Sequence, residues 1–118
     1  MKYLCLVYFE PKALTVLSEA EKIAFDNESL AYDEELQRSG HFIAAEALDS
    51  VKSAVTVRVR NGKISTTDGP FAETKEQLGG FILIESRDLN DAIQIAAKIP
   101  LARSGSIEVR PIWELERK

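Results

Sequence analysis

Residues 2–9, Lys-Tyr-Leu-Cys-Leu-Val-Tyr-Phe, and residues 80–85, Gly-Phe-Ile-Leu-Ile-Glu, are the stretches that decide the fold. Each is apolar on both sides of a β-strand, because successive side chains of a strand point to opposite faces of the sheet. A strand of this kind belongs inside a sheet that is covered on both faces. The two segments therefore predict the two central strands of one sheet.

Two helices flank these strands in the sequence. Residues 18–21, Ser-Glu-Ala-Glu, fit a capping box that begins a helix, and Gly40 is suited to end it. A second helix is predicted over 89–99, where apolar residues recur at helical spacing until Pro100 stops them. The residues expected to face the sheet are Leu17, Ala20, Ala24, Phe25, Ala31, Tyr32 and Leu36 on the first helix, and Leu89, Ala92, Ile93, Ala96 and Ala97 on the second.

Residues 53–67 predict a β-hairpin. Valines alternate with polar residues up to position 60, which is typical of a strand exposed on one side. Asn61-Gly62 follows, and both residues tolerate the positive φ angles of a two-residue hairpin turn. Residues 63–67 form the returning strand.

Two further strands are predicted over 42–48 and 107–113, the latter at a sheet edge because Pro111 lacks a backbone donor. Without the hairpin, the order of elements is βαββαβ, the ferredoxin-like arrangement of the α+β class. Two helices cover only one face of such a sheet, and the other apolar face then needs a partner. We therefore predict a sheet-on-sheet homodimer.

Composition narrows the class of protein. The chain has 118 residues, which predicts a single domain over 1–118, and its net charge of −4 argues against nucleic-acid binding. The single cysteine, Cys5, allows no internal disulfide and is expected to be an inert core thiol. No apolar run is long enough for a membrane span, so a cytoplasmic protein is expected. With one histidine, His41, and no CxxC or HExxH motif, neither a metal nor another cofactor is predicted.

Residues 68–81, Asp-Gly-Pro-Phe-Ala-Glu-Thr-Lys-Glu-Gln-Leu-Gly-Gly-Phe, are the most unusual stretch. Pro70 fixes its own φ and keeps Gly69 out of the helical region, which gives a shaped turn that orients Asp68. Asp68 is either a general base or ligand-orienting carboxylate, or the acceptor of an Asx-type turn; the turn is favoured. The pair Gly79-Gly80 indicates close approach of another backbone or of a ligand.

The candidate site surrounds this turn, with Asp68 as the candidate catalytic residue. For Glu73 and Lys75 the alternative to a ligand site is a solvated loop. Arg58 either binds an anion or lies on the solvent-exposed side of an edge strand. The candidate ligand-binding residues are Tyr3, Arg58, Asp68, Gly69, Pro70, Phe71, Glu73, Thr74 and Lys75.

Residues 68–81 resemble the signature of the DGPF-type proteins, a branch of the YCII-related family. The likeness extends over nearly the whole chain, including residues 1–3, 34–36, 57–62 and 107–111. The resemblance implies a ferredoxin-like fold and a dimer of the α+β barrel kind.

The resemblance also bears on chemistry. Some YCII-related proteins use a His–Asp pair with the histidine on the first helix, and one member resembles a dehydrochlorinase of chlorinated hydroquinones. In this sequence the corresponding positions fall near Ser29 and Arg38, so that chemistry is not transferred. The DGPF branch is often encoded beside alternative sigma factors, which implies a regulatory context.

Three hypotheses for function stay open, and whether the protein is an enzyme is open with them. The first is a small-molecule binding or weakly catalytic site near the Asp68–Lys75 loop of a homodimer. The second is a non-enzymatic regulatory module that contacts a protein partner. The third is a purely architectural motif that fastens the hairpin or the dimer, because a fold alone does not imply a function.

Overall fold

The computed structural model describes residues 1–115 as a mixed α+β fold. The strands are β1 Lys2–Phe9, β2 Phe42–Ala47, β3 Val55–Arg60, β4 Lys63–Asp68, β5 Gln77–Glu85 and β6 Ser106–Pro111. The α-helices are α1 Pro11–Thr15, α2 Glu19–Arg38 and α3 Leu89–Ala97, and short 3-10 turns span Val51–Ser53 and Pro100–Arg103. Among residues 1–115, no helix is long and apolar enough to cross a bilayer.

Four strands form one antiparallel sheet in the order β2-β5-β1-β6. The two strands predicted to be central, β1 and β5, are central, and β6 lies at an edge and ends at Pro111. Strands β3 and β4 pair with each other as a separate two-stranded sheet, here called the ribbon, between β2 and β5 in the chain. This confirms the α+β class and the βαββαβ order with an inserted hairpin.

The hydrophobic core lies between one face of the sheet and the helices. It is built from Tyr3, Cys5, Val7, Tyr32, Leu36, Ile82, Ile84, Ala92, Ile95, Ala96 and Ile99. The opposite side, here called the open face, carries Leu4, Leu6, Tyr8, Phe81 and Leu83 on its two central strands. Its edge strands carry Ala44, Glu46, Ser106, Glu108 and Arg110 on the same side. The shortest dimension of the molecule is 19 Å, which leaves room for one sheet and one layer of helices about 10 Å across. The chain therefore does not cover its own open face.

The predicted helix and turn signals are present. The N–H of Glu21 donates to Ser18 Oγ at 3.1 Å and the N–H of Ser18 donates to Glu21 Oε1 at 3.0 Å, which completes the capping box. Gly40 follows the helix with a φ of 80°. Asn61 and Gly62 have φ angles of 53° and 74°, as a tight hairpin turn requires.

The predicted inward faces of the helices were partly wrong. Helix α2 buries Tyr32 and Leu36, both in its C-terminal half, whereas the alanines expected to face the sheet at positions 20, 24 and 31 are exposed. The first turns of α2, residues 19–24, are exposed, and the middle of the helix, from Asp26 to Asp33, borders a groove. On α3 the buried face is formed by Ala92, Ile95 and Ala96, and the residues expected inward at 89, 93 and 97 are exposed.

Candidate functional site

A groove of about 500 Å³ lies between the middle of α2, from Asp26 to Asp33, and the sheet. We call it the α2 groove. Its sides come from α2, from the first half of β5 and the end of β2, and from the 3-10 turn after α3. The lining residues are Val7, Asp26, Ser29, Leu30, Tyr32, Asp33, Ala45, Glu46, Ala47, Gly79, Gly80, Phe81, Ile82, Ile99, Pro100 and Leu101.

Two glycines line the groove where β5 begins. A Cβ at Gly80 would lie 2.8 Å from the carbonyl oxygen of Glu46 on β2, and a Cβ at Gly79 would collide with the ring of Phe9. The β1–β5 register shifts at this point, between Val7 and the following residue. The close approach predicted from the glycine pair is thus confirmed, by backbone at Gly80 and by a side chain at Gly79.

A bidentate ion pair joins two sides of the groove. Arg103 Nη1 and Nη2 donate to Glu28 Oε1 and Oε2 at 2.6 and 2.8 Å. These hydrogen bonds lower the pKa of Glu28 and raise that of Arg103. Because Glu28 is on α2 and Arg103 ends the 3-10 turn, the pair fastens the turn, and with it Pro100 and Leu101, to the helix.

The polar groups of the groove lie mainly on α2. Asp26, Ser29 and Asp33 are spaced by three and four residues, so they follow one face of the helix. Asp33 is half-buried, and desolvation raises the pKa of its carboxyl above the usual range. Asp26 is exposed at the rim, and Glu46 stands on β2. The groove is therefore apolar and acidic, which favours a neutral or cationic hydrogen-bond donor over an anion.

Tyr32 also lines the groove, but its hydroxyl is already bonded. The hydroxyl donates to the carbonyl oxygen of Ile95 at 2.6 Å in a buried contact. Burial raises the pKa of Tyr32 to about 12, so the phenol stays protonated near neutral pH. Within residues 1–115, no three His, Cys, Asp or Glu side chains form a group that could hold a metal ion.

None of the nine residues predicted for ligand binding lines the α2 groove. Tyr3 is a core residue that is 2% exposed, and its hydroxyl lies 3.8 Å from Met1 Sδ. Arg58 is half-buried on β3, and Asp68 is exposed at the end of β4. In the loop that follows, Gly69 and Pro70 are half-buried, while Phe71, Glu73, Thr74 and Lys75 are exposed.

The Asp68–Lys75 loop is fastened at both ends. The N–H of Gly69 donates to the carbonyl oxygen of Ala54 at 2.7 Å, and Thr56 Oγ1 donates to the carbonyl oxygen of Gly69 at 2.9 Å. At the other end, Thr74 Oγ1 donates to the carbonyl oxygen of Glu76 at 2.7 Å. Gly69 has a φ of 99°, which explains the glycine. The structure thus brings residues 68–75 together beside the ribbon.

The favoured Asx-type turn at Asp68 is not observed. Within residues 1–115, the carboxylate of Asp68 accepts no hydrogen bond, and the side chain of Phe71 is 80% exposed. The turn is held by the backbone of Gly69 and the hydroxyl of Thr56, which take the role expected of the carboxylate. In this single chain the motif therefore leaves Asp68 and Phe71 facing solvent.

Sequence reasoning did not select the charged residues of the groove, Asp26, Asp33 and Glu46. Ser29 was singled out only because it lies near the position that the resemblance to a family assigns to a histidine. The available signal was a serine and a carboxylate one turn apart on α2, next to the inward Tyr32. A polar pair beside an apolar helix face indicates a site, but only the fold brings it to Gly79-Gly80.

Comparison with known proteins identifies the family. The family model of the YCII-related domain matches residues 1–116 of the chain. The chain belongs to the YCII-related family. An uncharacterised protein of Rhizobium meliloti (strain 1021) is 33% identical to this YCII-related chain over 114 residues, which are 95% of the chain and 92% of that protein.

A solved structure is similar to this YCII-related chain along most of its length. It is the 5-chloro-2-hydroxyhydroquinone dehydrochlorinase of Burkholderia phenoliruptrix AC1100 in complex with 2,5-dihydroxybenzoquinone. The TM-score is 0.55 with 17% identity, and the match covers 97% of the chain and 94% of that structure. At this identity the similarity shows a shared fold alone.

Proposed function

We propose that the α2 groove binds a small, neutral, hydroxylated ring compound, with Asp33 accepting the hydrogen bond of a ligand hydroxyl. A volume of about 500 Å³ suits a small organic molecule. Ligand sites of this kind combine mostly apolar walls with a few polar groups that fix orientation. Here Leu30, Pro100 and Leu101 supply apolar contacts, and Ser29 and Asp33 supply the polar ones.

The observation that carries the proposal is the partly desolvated carboxyl of Asp33. A carboxylate with a raised pKa is a stronger base, and it gains more from a hydrogen-bonded hydroxyl than a solvated carboxylate does. Asp26 adds negative charge at the rim of the same groove. An anionic ligand would meet the carboxylates of Asp26 and Asp33, so the proposal is limited to neutral compounds and cations.

The structural neighbour narrows the ligand class. The dehydrochlorinase structure contains 2,5-dihydroxybenzoquinone, a hydroxylated six-membered ring. We propose that the α2 groove binds a ligand of similar shape, a flat ring with hydroxyl groups. We do not propose that this chain catalyses the reaction of the dehydrochlorinase. The first helix here carries Ser29 rather than a histidine, so binding is proposed without a reaction.

Calorimetric titration with hydroquinone and chlorohydroquinone tests the proposal, with benzoate as the anionic comparison. We expect the wild type to bind the two hydroquinones and not benzoate. Asp33→Asn should bind at least about ten-fold more weakly, because a hydrogen bond to a charged group contributes about 1.5–3 kcal/mol. Glu34→Gln is the matched control, since Glu34 is an exposed neighbour on α2 outside the groove.

Equal affinity of Asp33→Asn and Glu34→Gln would exclude the proposed role of Asp33. Absence of binding by every compound would exclude the groove site and favour the regulatory-module hypothesis. Asp68→Asn belongs in the same titrations, because the Asp68–Lys75 loop remains a predicted site. Loss of binding in Asp68→Asn alone would move the site from the groove to that loop.

We also propose that the chain forms a homodimer through its open face, in the manner of a dimeric α+β barrel. The open face is apolar at Leu4, Leu6, Phe81 and Leu83, and the chain leaves it uncovered. A contiguous apolar patch of this kind is typical of an interaction surface. Light scattering at micromolar concentration should give twice the mass of one chain, and the mass of a single chain would exclude the dimer.

A further inference from the structure

We infer that the ribbon is an arm that packs one of its faces against a second copy of the chain. This inference rests on the homodimer proposed above and goes beyond it, because it assigns a part of the interface outside the main sheet. The apolar side chains of this face are Val55, Val57, Val59 and Ile64, and we call these four the valine face. Thr66 and Asp68 lie on the same side of the ribbon, opposite Val57 and Val55.

The register of the ribbon gathers its four large apolar side chains on one face. Val57 pairs with Thr66 and Val59 with Ile64, and directly paired residues share one face. The four side chains of the valine face are exposed by 58, 60, 55 and 75% in chain order. The opposite face carries Thr56, Arg58, Arg60, Lys63, Ser65 and Thr67. The ribbon is thus amphipathic, and its apolar side faces solvent in the single chain.

The ribbon stands away from the rest of the fold. Its strands pair only with each other, and an isolated two-stranded hairpin is marginally stable in water. The radius of gyration is 16.5 Å, whereas a compact chain of this length has about 13.5 Å. A ribbon that projects with an apolar face requires a surface that covers it.

Interface area favours a second copy as that surface. The open face spans four strands, about 19 Å wide and about 24 Å long, or about 450 Å² in projection. A stable interface buries about 800 Å² on each partner, so the open face supplies only part of the area. One face of the ribbon adds about 200 Å². The two surfaces together approach the area of an ordinary dimer.

The distribution of charge along the chain also favours a second copy of the chain as the partner. Residues 55–68 carry three basic side chains and one acidic one, a net charge of +2. The total for the chain is −4, so the remainder carries −6. The three basic side chains lie on the side opposite the valine face, so they contribute long-range attraction to the acidic body of a second copy and not contacts within the apolar interface.

Sedimentation velocity on a matched pair of double variants tests the inference. Val57→Glu with Val59→Glu places two negative charges on the valine face. Ser65→Glu with Thr67→Glu places the same charges on the polar face. We expect the first to raise the dissociation constant of the dimer at least about hundred-fold and the second to change it by no more than a few-fold. Equal dissociation constants for both double variants would overturn the inference.

Leu6→Glu on the open face separates this inference from the dimer itself. If the wild type has the mass of one chain, both proposals fail. If Leu6→Glu disrupts the dimer while the valine variant does not, the homodimer stands and the arm is excluded. Circular dichroism verifies that each variant folds.

Hydrogen exchange of the wild-type chain tests, without any substitution, whether the ribbon lies in the dimer interface. Amides of β3 and β4 should become at least about ten-fold more protected above the dissociation constant than below it, whereas α3 amides should not change. Equal exchange of the ribbon at both concentrations would contradict the inference.

Discussion

Gly80→Ala perturbs the closest contact between β2 and β5 at the α2 groove. The added methyl group would lie 2.8 Å from the carbonyl oxygen of Glu46 and 3.4 Å from Cα of Ala47. Favourable contacts between non-bonded heavy atoms lie at about 3.5–4.0 Å, so the two strands must separate by several tenths of an ångström. Both contacts are to backbone, which cannot rotate away as a side chain can.

The expected cost follows from overpacking. Forcing an extra methyl group into a packed position costs about 1–3 kcal/mol. A chain of this length has an unfolding entropy of about 250 cal/mol/K, so each kcal/mol lowers the midpoint by about 4 °C. We therefore expect the melting midpoint of Gly80→Ala to fall by about 4–12 °C. Hydroquinone affinity should fall as well, because Gly80 lines the groove.

Thermal unfolding followed by circular dichroism measures this effect. Gly62→Ala is the comparison, because Gly62 has a φ of 74° and no atom within 4 Å of a built Cβ. Its cost arises from backbone conformation alone, so Gly62→Asn should recover stability. Gly80→Asn should be worse than Gly80→Ala, because a larger side chain increases the clash. A midpoint of Gly80→Ala within 1 °C of the wild type would show that β2 and β5 accommodate the added methyl group without strain.

Three further predictions address the helix cap, the cysteine and the groove carboxyl. Ser18→Ala removes the capping box and should lower the free energy of unfolding in urea by about 1 kcal/mol; an unchanged urea midpoint would exclude a stabilising cap. Cys5 is fully buried with a pKa raised to about 11, so a thiol reagent at pH 8 should label it only as fast as the protein unfolds, and rapid labelling of the native state would contradict its burial. The pKa of Asp33 is higher in the folded chain than its ordinary value of 3.8, so the folded state binds that proton more tightly. Relative to Asp33→Asn, the wild type should therefore lose stability as pH rises from 3.8 through the raised pKa; parallel urea midpoints across that window would show that the carboxyl is not desolvated.

The predicted site at residues 68–75 and the observed α2 groove lie at different places. The first was inferred from a local motif, whereas the second is formed by residues that the fold brings together. The motif at residues 68–81 is conspicuous as a string of residues, and the structure explains part of it by local needs. Gly69 adopts a positive φ, and Gly80 avoids a clash with Glu46. The groove has no comparable sequence motif. Asp33 lies within a helix and Pro100 begins a 3-10 turn, and both residue types are common at such positions.

Short-range sequence patterns were enough to predict the six strands, the two longer helices and the choice of central strands, but not the short helix α1. These features depend on short-range rules, namely the alternation of a strand, the cap at Ser18 and the turn at Asn61-Gly62. The depth to which each helix packs against the sheet does not follow from such rules, because it depends on side chains from several elements at once. The packing of the elements makes α2 bury Tyr32 and Leu36 in the core while its middle, from Asp26 to Asp33, borders a groove. Asp33 is desolvated there by residues far away in the chain, and a contact that distant leaves no local pattern in the sequence.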